Sequence, residues 1–96
     1  MNRNWDFRMI ARKIRFSGRV QGVGFRYTAR EVSAGFKVAG YVRNLDNGDV
    51  ELVAQGHEAE VDRFLAALEM RMRGYIEGRS DADEPVREFE EFAIRR

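Results

Sequence analysis

Gly18-Arg19-Val20-Gln21-Gly22-Val23-Gly24-Phe25-Arg26 stand between a strand-like run and a helix-like run, with three glycines and a closing arginine. Glycine permits positive φ and close backbone approach, so successive amide N–H groups can turn inward on an anion. A helix that starts there adds the positive end of its dipole. Arg26 adds a fixed, bidentate charge, and residues Gln21, Gly22, Val23, Gly24, Phe25 and Arg26 have the outline of a phosphate cradle. On spacing alone a plain β-to-α turn fits equally well. The stretch lacks the Lys-Ser/Thr pair of a P-loop, and Gly22, Gly24 and Tyr27 lack the third glycine of a dinucleotide turn.

A second constellation runs Gly40-Tyr41-Val42-Arg43-Asn44, then Leu45-Asp46-Asn47-Gly48, then Asp49 to Gly56. With the first, it resembles the acylphosphatase family. The family's first signature is an aliphatic residue, any residue, then G-x-V-Q-G-V-x-[FM]-R. The chain follows it from Gly18 to Arg26 and departs only at Phe16, which keeps an apolar side chain at the leading position. The second signature, G-[FYW]-[AVC]-[KRQAM]-N-x3-G-x-V-x5-G, is met at every position from Gly40 to Gly56. The resemblance covers roughly residues 10–96 and weakens after the second helix, where Arg73-Gly74-Tyr75-Ile76 replaces the family's Gly-Pro pair. That loop is expected to lie away from both motifs.

The resemblance implies an enzyme that hydrolyses the carboxyl-phosphate bond of acyl phosphates to carboxylate and orthophosphate. It makes Arg26 the substrate-binding arginine and Asn44 the residue that orients an attacking water. The residues suit such chemistry. An acyl phosphate carries a good carboxylate leaving group, so its hydrolysis chiefly demands that phosphoryl charge be held and water aligned. Asn44 can accept through its amide oxygen and donate through its nitrogen, with no acid-base capacity. No metal site and no cofactor are read. The expected partners are a small acyl phosphate and the phosphate or sulfate anion, with no nucleic acid and no membrane. A monomer is the expected form.

The competing reading is a non-catalytic anion- or RNA-binding module, since sheets of this kind can bind single-stranded RNA through exposed strand aromatics. Tyr41 is the one aromatic in the second strand, and no aromatic run of that type exists. His57 reads as a helix-start residue. Asp81-Ala82-Asp83-Glu84 has no calcium-loop spacing and reads as part of a solvated turn.

The elements that must position these residues follow from periodicity. Ile10, Ile14 and Phe16 share parity against Lys13, Arg15 and Ser17, which predicts a strand with one wet face. Phe25, Ala29, Val32 and Phe36 recur at helical spacing, with Gly35 as the stop. Val38 to Leu45 predicts a second strand. Asp46-Asn47-Gly48 predicts a tight turn into a third, where Val50, Leu52 and Ala54 alternate with Glu51 and Gln55. Val61, Phe64, Leu65, Leu68 and Met72 form the stripe of a second helix. A short strand at Tyr75-Ile76-Glu77, a polar turn from Asp81 to Pro85 and a last strand from Phe89 to Ile94 complete the chain. The order predicts an α+β, ferredoxin-like split β-α-β sandwich, a mostly antiparallel sheet of four to five strands with two helices on one face.

Composition bounds this reading. The 96 residues suffice for one domain, expected over 10–96 with residues 1–9 as a short extension. Residues 1–44 hold ten Lys/Arg against Asp6 and Glu31, so the basic character concentrates around the cradle. The chain contains no cysteine, which excludes thiolate chemistry and disulfides and suits the cytoplasm.

Overall fold

The computed structural model describes residues 8–96, so the expected extension lies almost wholly outside the described residues, and Met9 already opens the first strand. The elements are β1 (Met9–Gly18), α1 (Phe25–Ser33), β2 (Val38–Asn44), β3 (Val50–His57), α2 (Glu58–Arg71), β4 (Ile76–Glu84) and β5 (Phe92–Arg95). They build a five-stranded sheet in the order β4-β1-β3-β2-β5. Every neighbouring pair is antiparallel except β2 with β5. The α+β, ferredoxin-like arrangement anticipated from the pattern is thus the observed one.

Strand alternation explains the core. Ile14 and Phe16 of β1, Val42 of β2, and Val50, Leu52 and Ala54 of β3 face the helices and are wholly buried. They meet Phe25 and Ala29 of α1 and the α2 stripe of Val61, Phe64, Leu65 and Leu68. The Phe16 and Phe25 rings lie 5.2 Å apart, which clamps the start of α1 onto the end of β1. Each buried Phe or Leu stabilises the fold by about 1.5–3 kcal/mol.

Three sequence expectations need correction. Asp81 to Glu84 do not form a turn but continue β4 as an edge strand paired with β1. Its sequence has almost no apolar alternation because both faces are largely exposed beyond Ile76. Charge complementarity supports the pairing instead: Asp83 stands opposite Arg12, and Lys13 lies 3.6 Å from Glu84. A polar edge also resists pairing with other chains.

The loop after α2 does not lie away from the first motif. The Arg19 amide donates to the Tyr75 carbonyl at 2.9 Å, and the Arg19 guanidinium sits over the Tyr75 ring. Gly18 has φ 113°, and a Cβ there would lie 2.6 Å from the Tyr75 oxygen, so the loop and the motif's first glycine fit directly together.

The far face of the sheet is not simply wet. Residues 85–91 cross it, so the final strand begins only at Phe92. The Gln55 carboxamide donates to the Arg87 carbonyl at 2.6 Å and accepts from the Arg87 amide at 2.8 Å. Phe89 packs on Tyr41 with ring centroids 6.2 Å apart. Glu51 and Gln55, which alternate with the core-facing residues of β3, are each only 5% exposed.

Candidate active site

Register brings the two motifs together. Val50 of β3 stands opposite Phe16 of β1 on one side and Asn44 of β2 on the other. Neighbouring strands lie about 4.8 Å apart, so Phe16 and Asn44 are separated by roughly 10 Å of backbone at one end of the sheet. The loop that leaves β1 must therefore start α1 beside the last residue of β2.

Within that loop Gly22 has φ 75° and Gly24 φ 78°, both in the left-handed region. A Cβ at either would meet no neighbour, so glycine is required there for conformation and not for space. Alternation of such residues turns successive N–H groups to one side. The first helical bond runs from the Thr28 amide to the Gly24 carbonyl, so the amides just before it are the unpaired donors of a helix start. The Phe25 side chain belongs to the core and that of Val23 packs against it.

Gly22, Gly24, Phe25, Arg26 and Asn44 line one concavity of about 190 Å³, together with Val20 and Tyr27. Gln21 is placed differently. Its side-chain nitrogen donates to the Leu45 carbonyl at 2.7 Å and to the Asp49 carbonyl at 2.8 Å, tying the cradle to the β2–β3 turn. The turn itself is closed by the Leu45 amide on the Asp49 carbonyl at 2.8 Å and the Gly48 amide on the Leu45 carbonyl at 3.2 Å.

Sequence reasoning missed the part played by the end of the chain. Parallel pairing sets Arg95 of β5 beside Arg43 of β2, and Arg26 Nη1 donates to the Arg95 carbonyl at 3.3 Å. The Arg95 guanidinium lies 4.2 Å from the centre of the Tyr41 ring. No local sequence signal marks this contact, because it depends on a long-range parallel pairing.

Behind the site, on the far face of β2 and β3, Glu51 accepts from Tyr41 Oη and Arg43 Nε, each at 2.9 Å, with Lys13 at 4.0 Å. Burial pushes the Glu51 carboxyl up, but the bonds from Arg43 and Tyr41 and the charges of Arg43 and Lys13 outweigh it, leaving the pKa below the ordinary carboxylate value. Burial and the Glu51 hydrogen bond push the Tyr41 hydroxyl up.

The family model named acylphosphatase matches residues 12–94. An acylphosphatase from Archaeoglobus fulgidus is 50% identical over 60 residues, covering 62% of this chain and 67% of that protein. One from Thermotoga petrophila is 53% identical over 57 residues, covering 59% of this chain and 63% of that protein, a little less than two thirds of its length. The crystal structure of acylphosphatase from Bacillus subtilis superposes with a TM-score of 0.83 at 31% identity, over 91% of this chain and 99% of that one. The chain belongs to the acylphosphatase family. Family and relatives support hydrolysis of acyl phosphates, and none of these findings favours a non-catalytic anion- or RNA-binding module.

Proposed function

We propose that the protein hydrolyses acyl phosphates to carboxylate and orthophosphate without a metal ion, by direct attack of a water oriented by Asn44 on phosphorus held by Arg26. The observation that carries this reading is the single concavity lined by Arg26, Asn44 and the left-handed glycines 22 and 24. The guanidinium and the helix-start amides hold the phosphoryl oxygens in ground and transition states. The Asn44 amide oxygen accepts a hydrogen from the water, and a phosphoryl oxygen takes its proton as the carboxylate departs. A leaving group this good needs no general acid, so the donors present suffice. Phosphate monoesters, with alkoxide leaving groups, are poor substrates for the same reason.

The protein acts as a monomer in the cytoplasm and does not use nucleic acid. A chain without cysteine suits the cytoplasm. Against RNA stands the burial of Tyr41, 7% exposed beneath Phe89 and Arg95.

Release of phosphate from benzoyl phosphate with excess chelator tests the proposal. Turnover undiminished by chelator is expected. Activity abolished by chelator and restored by a divalent cation would overturn metal independence.

A further inference from the structure

A second concavity of about 460 Å³ adjoins the first, and Arg26 and Tyr27 line both. Its remaining walls are Ile94 and Arg96. A phosphoryl group held by Arg26 in the smaller space has the larger one next to it for whatever is attached through the bridging oxygen. Tyr27 follows Arg26 on the first turn of α1 and is 70% exposed, although its ring is large and apolar. The Arg30 guanidinium lies 5.3 Å from the centre of that ring, and with this contact made the residue still leaves most of its surface open to a ligand.

Building on the acylphosphatase reading, we propose that the second concavity is the acyl-group subsite, that it selects acyl phosphates with flat apolar acyl groups, aromatic ones above all, and that Tyr27 sets this preference. An aromatic acyl group can stack on the Tyr27 ring and bury its edge against Ile94, whereas an acetyl group is too short to cover either. Aromatic contact together with the area it removes from water accounts for a discrimination of roughly tenfold.

The test compares kcat/KM for benzoyl phosphate and acetyl phosphate, with Ki for orthophosphate, in wild-type protein, Tyr27→Ala and Tyr27→Phe. Tyr27 lies on an exposed helix surface, so its truncation leaves the core intact. The benzoyl-to-acetyl ratio is expected to fall about tenfold in Tyr27→Ala and to be kept in Tyr27→Phe, with orthophosphate inhibition far less affected. An unchanged ratio in Tyr27→Ala overturns the inference. So does a wild-type preference for succinyl phosphate over benzoyl phosphate that Arg96→Ala removes, since selection would then rest on charge. Hydrolysis of none of these compounds by the wild-type protein would overturn the acylphosphatase reading itself, and this inference with it.

Discussion

Gln21 and Leu45 are joined by a 2.7 Å hydrogen bond from side chain to main chain, and with the second bond to Asp49 it makes the cradle and the β2–β3 turn one body. Asn44 immediately precedes Leu45, so the position of the proposed water relative to phosphorus depends on this tie. Misplacement of reacting groups by about 1 Å can cost on the order of 100-fold in rate.

Gln21→Leu removes both donors while keeping bulk, and leaves the Leu45 and Asp49 carbonyls without that partner. We expect kcat for benzoyl phosphate to fall by roughly 10- to 100-fold, with orthophosphate Ki changed much less. Stability should fall by about 1–3 kcal/mol in a urea titration. A variant with wild-type kcat would show that the tie is not needed for alignment.

Glu51 gives the fold a defined acid sensitivity. Its carboxyl titrates below the ordinary value of 4.5 in the folded protein, so its contribution is present above that value and is lost as pH falls through the lower folded pKa. Glu51→Gln should therefore flatten the stability profile below about pH 4.5 and cost about 1–2 kcal/mol at neutral pH. Urea titrations of both proteins from pH 3 to pH 7 measure this. Parallel profiles for the two would contradict the role of the cluster.

Much of this architecture was legible in the residues themselves, and the exceptions have physical causes. The α2 stripe and the alternation of β1 and β3 are strong signals because each element sets a row of apolar residues against the core, even though β3 is buried on both faces. β4 was legible only at its start, because an exposed edge strand held by ion pairs needs no apolar period. Phe89 looked like strand because it is aromatic, yet its ring covers Tyr41 from an irregular segment. The motifs placed Arg26 and Asn44 in one site, but a glutamine's hydrogen bonds to carbonyls 24 and 28 residues away leave no trace in local sequence.

Orthophosphate should protect the native protein, since a ligand that binds only the folded state adds RT ln(1 + [L]/Kd) to its stability. At a concentration 100 times Kd this amounts to about 2.7 kcal/mol, a rise in Tm of roughly 10–20 °C for a domain of this size. The Arg26→Ala variant should lose the shift. A thermal scan in phosphate against chloride at matched ionic strength decides it, and equal Tm values in the two salts would count against the cradle.

The measurement closest to the central claim is the pair of constants kcat for benzoyl phosphate and Ki for orthophosphate in folded Asn44→Ala. If Asn44 acts on the attacking water and Arg26 on the phosphoryl group, kcat falls by roughly two orders of magnitude or more while Ki stays near the wild-type value. In Arg26→Ala both turnover and phosphate affinity are lost together. Circular dichroism controls for folding, since neither residue belongs to the buried core. Near wild-type turnover in folded Asn44→Ala would contradict the account of a positioned water.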